Sequence, residues 1–171
     1  MTTQIIKTTF KDLPFRDDLL QDSLKLAEVY KKYETLAVIG IGGSSVGPEA
    51  LWKVLKTSDK NQRNLVFFDN TDFVDAQRKI DGLDLGKTAW YIVSKSGSTL
   101  ETLATTEWVS EIYRKTGLSF YPHVAVCTEK RSNPLFDWAQ AHQVPVLEIP
   151  LDVGGRFSVL SPVGLFPLEY A

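Results

Sequence analysis

The 171-residue sequence predicts an α/β fold: a three-layer αβα sandwich around a five-stranded parallel sheet. Two observations carry this expectation. Short runs of β-branched and aromatic residues alternate with longer stretches of helical period along the whole chain. Two of the strand-to-helix junctions are rich in glycine or hydroxyls, the composition that places an anion at a helix N-terminus. A hydrophobic content of 43% is enough for one core, and the length is too short for two ordinary domains.

In chain order, Asp17-Asp18-Leu19-Leu20 opens an amphipathic helix carrying Leu20, Leu24, Ala27 and Tyr30 on one stripe, and Lys31-Lys32 suits its C-terminus. Leu36 to Gly40 reads as a buried strand. A glycine-rich turn and a helix follow, with Pro48 early and Leu51, Trp52 and Leu55 apolar. Leu65 to Phe68 is the second strand and ends in Asp69-Asn70, with a short helix over 72–80. Thr88 to Val93 is the third strand, and its helix places Leu100, Ala104, Trp108 and Ile112 at spacing four. His123 to Val126 is the fourth, followed by a helix capped by Asn133 and begun by Pro134. Pro145 to Ile149 is the fifth, and its proline marks an edge strand. In the common order 2-1-3-4-5, the loops after strands one and three flank the switch point where such sheets bind ligands.

The formal charge of -2 and the lack of a Lys/Arg block argue against a nucleic-acid or membrane-surface protein. The single cysteine, Cys127, has no disulfide partner and no metal spacing around it, and reads as a small buried hydrophobe. Met1-Thr2-Thr3-Gln4 precedes no signal-type apolar stretch, and no run approaches the roughly 20 apolar residues that span a bilayer. A soluble cytoplasmic protein is expected.

The chemistry concentrates in Ser94-Lys95-Ser96-Gly97-Ser98-Thr99, which puts four hydroxyls, an ammonium and a glycine where a strand ends and a helix begins. Unpaired N–H groups and a partial positive charge at that helix end favour a phosphate. Ser98 and Glu101 match a capping box. Capping needs only one or two hydroxyls, and Lys95 sits poorly at the positive end of a helix unless an anion offsets it. The rival is a dinucleotide site, since Gly40 and Gly42 follow a strand and Asp69 ends the next. Its third glycine falls on Ser45, however, and it leaves the second anion loop unexplained.

Gly40-Ile41-Gly42-Gly43-Ser44-Ser45-Val46-Gly47-Pro48, the segment Ser94 to Thr102, and Gly154-Gly155-Arg156-Phe157-Ser158 together closely resemble the glucose-6-phosphate isomerase family in order and spacing. The resemblance implies a sugar isomerase (SIS) domain over 36–160. It further implies an N-terminal helical segment over 1–35 packed on that domain, and the start of a connection to a second SIS domain over 161–171. It implies that Ser44, Ser94, Ser96 and Thr99 hold a substrate phosphate with Lys95 alongside, and that Arg156 stabilises the negative charge of an enediol. Gly42, Gly43, Ser45, Gly97, Ser98 and Gly155 then form the substrate loops, with Gly43 letting the backbone approach the sugar. No cofactor or metal is implied. Partners are glucose 6-phosphate and fructose 6-phosphate, the remainder of a longer chain, and a second copy in a homodimer. Ser96 and Gly97 stand where many members carry Thr and a bulkier residue, which keeps a hydroxyl and is expected to loosen the loop.

Family members run to several hundred residues, and their catalytic glutamate, histidine and late lysine lie beyond Ala171. The apolar end, with Leu165, Phe166 and Leu168, is therefore expected to have lost the domain it packs on, and the chain alone to bind without turning over. Aldose–ketose isomerisation needs a positioned base and an acid–base pair; neither His123 nor His142 lies in a motif. The alternative is a stand-alone SIS domain acting as a phosphosugar-binding regulator.

Overall fold

The structure, a computed structural model, describes residues 9–56 and 63–171, so the reading of Met1 to Gln4 lies outside the described residues. Five parallel strands, β1 (Thr35–Ile39), β2 (Asn64–Phe68), β3 (Thr88–Val93), β4 (Val124–Thr128) and β5 (Val146–Glu148), line up in the order β2-β1-β3-β4-β5. Val38 of β1 sits between Phe67 of β2 and Tyr91 of β3. β5 is a three-residue edge strand beginning just after Pro145, as the proline requires.

Side chains alternate across this sheet and feed two cores. Ala89, Tyr91 and Val93 of β3 face the side covered by α1 (Asp17–Tyr30), α2 (Val46–Leu55) and α6 (Pro162–Tyr170). Trp90 and Ile92 face α3 (Phe73–Asp81), α4 (Leu100–Thr116) and α5 (Pro134–Ala141). Every residue of β3 is buried, which fits its central place between helical layers. Cys127 is buried in the first core as a free thiol.

Helix boundaries follow the sequence closely; helix faces do so less well. On α1 the buried stripe is Leu19, Ser23, Ala27 and Tyr30, with Leu20 and Leu24 only half-buried. On α4 the buried residues are Thr102, Thr106, Val109 and Tyr113, whereas Leu100 is 76% exposed. Trp108 and Ile112 lie on the flank of the core. Two of the polar groups on that face are satisfied by internal bonds, whereas the buried Thr102 Oγ1 has no hydrogen-bond partner among the described residues. Thr106 Oγ1 donates to Thr102 O (2.8 Å), and Tyr113 OH donates to Leu85 O (2.6 Å) while accepting from Trp90 Nε1 (2.8 Å). Leu55, expected inside, is exposed in the last turn of α2.

The segment 161–171 corrects the expectation of an unpartnered tail. Ser161 caps α6 by accepting from Val163 N (3.3 Å), and Phe166 is fully buried, its ring 4.5 Å from Tyr91 and 5.8 Å from Tyr30 between centroids. Tyr91 OH donates to Pro162 O (2.7 Å), and Tyr170 OH donates to Tyr33 O (2.8 Å). Leu165 and Leu168 are half-buried. Among the described residues no helix is long and apolar enough to cross a membrane.

This tyrosine-rich core sets an alkaline limit. Burial pushes Tyr113 and Tyr170 up to about 12 and raises Tyr30 and Tyr91 as well. Unfolded tyrosines ionise near pH 10, so each group contributes stability that is fully present below about pH 10 and is lost as pH rises toward its native value, at about 1.4 kcal/mol per group per pH unit. Denaturant melts should show stability falling from about pH 10 upward, with tyrosinate absorbance appearing together with loss of helix. Ionisation of these tyrosines in a chain that keeps its helix content would contradict the assignment.

Candidate active site

Three loops meet at the carboxyl edge of the sheet. The first follows β1 and contains a 3-10 turn, Gly42–Ser44; the second follows β3 and leads into α4; the third contains a 3-10 turn, Gly155–Phe157. They line one open cleft of about 330 Å³ with Ile41, Gly43, Ser44, Lys95, Ser96, Thr99, Gly155 and Arg156. This is the switch point predicted by the strand order.

Gly43 explains how the first and third loops come together. A Cβ at that position would lie 2.2 Å from Gly155 O, so only glycine allows the two backbones to touch. Gly43 thus packs on Gly155 of the same chain and also lines the cleft.

The hydroxyls of the cradle divide into two groups. Ser44, Ser96 and Thr99 line the cleft. Ser94 is 2% exposed and lies behind Thr99, its Oγ 2.8 Å from Thr99 Oγ1, so it orients a lining hydroxyl and does not face the cleft itself. Ser98 donates to Ser96 Oγ through both its N–H (3.3 Å) and its hydroxyl (3.1 Å), which leaves the Ser96 hydrogen free for a ligand. Ser45 is buried, with its hydroxyl on Gly42 O (3.3 Å).

The expected capping box does not form. Thr99 is the N-cap of α4 and no side chain caps that helix; Glu101 lines a separate apolar groove with Phe73, Ala104 and Trp108. The first-turn N–H groups of α4 are therefore not consumed by a side-chain cap at the cradle, which leaves them for an anion.

The turn between β4 and α5 seats the cradle. Gly97 has φ +65°, and a Cβ there would lie 1.6 Å from Asn133 Oδ1. Leu135 N donates to Gly97 O (3.0 Å), while Asn133 Oδ1 accepts from Phe136 N (2.9 Å) and its Nδ2 donates to Arg131 O (2.9 Å). Thr128 Oγ1 and Glu129 N both donate to Lys95 O at 3.3 Å. Glycine at 97 therefore does not loosen the loop; it makes room for the asparagine that pins it.

The charged groups of the cleft differ in their ties. Lys95 Nζ donates to Leu151 O (3.1 Å) and lies 3.3 Å from Glu129 Oε1, so a buried carboxylate of the protein already offsets the lysine that the sequence left unbalanced. Glu129 is the residue that sequence reasoning missed. Its signal was an acid closing a strand at the carboxyl edge. Arg156 is exposed, and among the described residues no ion pair or hydrogen bond holds its guanidinium. Asp69, where a ribose-binding acid would stand, lies 3.7 Å from Lys79 Nζ. His123 places Nδ1 2.8 Å from Thr88 O, and His142 stacks on Tyr121, so both histidines serve the fold and lie away from the cleft.

The five-stranded parallel sheet in this order, with its loops closing on a cleft lined by hydroxyls and cations, has the sugar isomerase (SIS) fold, shared with the sugar isomerase domain of an RpiR transcription factor from Sphaerobacter thermophilus (TM-score 0.57 at 14% identity, over 94% of this chain and 83% of that one). Within that class, the sequence profile described as phosphoglucose isomerase matches residues 21–170, and the chain belongs to that family. It is 40% identical over 134 residues to a probable glucose-6-phosphate isomerase of Haloarcula marismortui, covering 78% of this chain and 30% of that protein. It is 37% identical over 164 residues to the glucose-6-phosphate isomerase of Thermus thermophilus, covering 94% and 38%. The crystal structure of a glucose-6-phosphate isomerase from Chlamydia trachomatis superposes with a TM-score of 0.84 at 32% identity, over 91% of this chain and 30% of that one. The chain spans about a third of the length of the relatives it matches.

Proposed function

We propose that this chain forms the sugar-phosphate-binding part of a cytoplasmic glucose-6-phosphate isomerase, a homodimer that interconverts glucose 6-phosphate and fructose 6-phosphate in glycolysis and gluconeogenesis without a cofactor. The observation that carries this reading is the convergence of Ser44, Lys95, Ser96, Thr99 and Arg156 from three loops on one cleft. Its volume falls at the low end of the roughly 300–1,000 Å³ usual for small-molecule sites. Ser44, Ser96, Thr99 and the N-terminus of α4 take the phosphate, Ser94 acts through Thr99, and Lys95 supplies countercharge. Arg156, free to move, stabilises the anion that forms when a base removes a proton beside the sugar carbonyl. Phosphate anchoring binds substrate and transition state about equally and does not lower the barrier. The proton-transfer groups accordingly belong to the remainder of the longer protein.

Calorimetric titration with fructose 6-phosphate tests the reading. Binding is expected, tighter than that of NAD or NADP. Thr99→Val should weaken it by about 1.5–3 kcal/mol, the worth of a hydrogen bond to a charged group. Dinucleotide binding tighter than sugar-phosphate binding, or a Thr99→Val chain that binds as the parent does, would overturn it.

A further inference from the structure

The cluster behind the cleft holds two cations and one carboxylate. Glu129 is 3% exposed at the end of β4; its Oε1 lies 3.3 Å from Lys95 Nζ, and its Oε2 lies 2.6 Å from Arg131 Nη2 without hydrogen-bond alignment. Lys95 lines the cleft, whereas Glu129 and Arg131 do not, and the Arg131 side chain is 64% exposed. The carboxylate is thus tied to the cleft through Lys95 and to the surface through Arg131.

We infer that Glu129 and Arg131 form an exchange partner for Lys95: Glu129 holds the ammonium until substrate arrives, and Arg131 keeps Glu129 paired when Lys95 turns to the substrate phosphate. The inference rests on the sugar-phosphate reading of the cleft. Its physical basis is the cost of an unpaired buried carboxylate, which is several-fold larger than the gain from any one exposed ion pair. If Glu129 had Lys95 alone, moving the ammonium to a ligand would strand the carboxylate, and the ligand would bind against that cost. A second cation at Oε2 removes it. Arg131 therefore aids binding without touching the ligand, and Glu129 opposes binding while fixing where Lys95 waits. The role is one of positioning, not of catalysis.

Five chains separate this from a structural role: the wild type, Arg131→Ala, Arg131→Lys, Glu129→Gln, and the double variant Glu129→Gln with Arg131→Ala, each checked for native circular dichroism and titrated with fructose 6-phosphate. Physiological ionic strength screens the bulk charge of an exposed arginine beyond about 8 Å. Arg131→Ala should bind roughly three- to tenfold more weakly and Arg131→Lys nearly as the wild type, since an ammonium also pairs with the carboxylate. Glu129→Gln should bind more tightly by a similar factor, because a neutral amide neither retains Lys95 nor repels a dianion. Adding Arg131→Ala to Glu129→Gln should then change nothing. The 15N signal of the Lys95 ammonium should shift on adding ligand to the wild type, and should be shifted already in ligand-free Glu129→Gln.

Weaker binding by Glu129→Gln would make the carboxylate purely structural and overturn the exchange. So would an equal loss from Arg131→Ala in both backgrounds, which would place Arg131 on the ligand. A wild type that gives no heat with fructose 6-phosphate removes the site reading itself, an outcome distinct from variants that fail to separate on a wild type that binds.

Discussion

Phe166→Ala should lower the unfolding free energy by about 3–5 kcal/mol, the usual cost of emptying a buried phenylalanine site. The ring is fully buried between Tyr91 of the central strand and Tyr30 of α1, so its loss leaves a cavity shared by sheet and helix. Both tyrosines are held by hydrogen bonds to carbonyls, Tyr30 to Val124 O and Tyr91 to Pro162 O, which limits collapse into the hole. Urea denaturation of the two chains measures the difference, and a loss below about 1 kcal/mol would show that α6 is not part of the core. Hydrogen exchange in α6 should be slow in the parent and fast in the variant.

Gly43→Ala should abolish measurable sugar-phosphate binding while leaving the sheet intact. The new methyl group would meet Gly155 O at 2.2 Å and Arg156 Cα at 3.0 Å, all backbone atoms that no rotamer change can move. The first and third loops must separate, which pulls Arg156 away from Ser44. Overpacking of this kind costs about 1–3 kcal/mol of stability, less than the Phe166 cavity, yet its effect on binding is larger because the site depends on the contact. Circular dichroism and titration together check the result. Native spectra with unchanged affinity would show that the third loop has no part in the site.

The sheet was legible because β-branched runs and glycine or hydroxyl junctions report backbone geometry directly, and the order β2-β1-β3-β4-β5 followed from a common topology. The loop that lines the cleft was legible because it carries more hydroxyls than helix capping requires. Helix faces were less so. On α4 the hydrophobic period selected Leu100, which is exposed, over Thr102 and Thr106, which are buried; for Thr106, hydropathy cannot register a hydroxyl satisfied by the preceding turn. The capping box at Ser98 and Glu101 failed because Thr99 is the N-cap and the Ser98 hydroxyl is spent on Ser96. Glu129 was missed for a different reason. Its partner Lys95 lies on another strand's loop, and only the pairing of β3 with β4 brings the two together.

The seat of Gly97 against Asn133 also bears on how such a loop can change over generations. A side chain at 97 and asparagine at 133 exclude each other, since the first carbon of any side chain would fall 1.6 Å from the asparagine oxygen. The two positions are therefore sterically coupled: a side chain at 97 requires the asparagine to leave the place from which it caps α5. In a chain with a bulky residue at 97, shrinking that residue opens a small void, whereas bringing in asparagine at 133 creates a collision at the cradle. Of the two single changes, the one to glycine is thus the sterically milder.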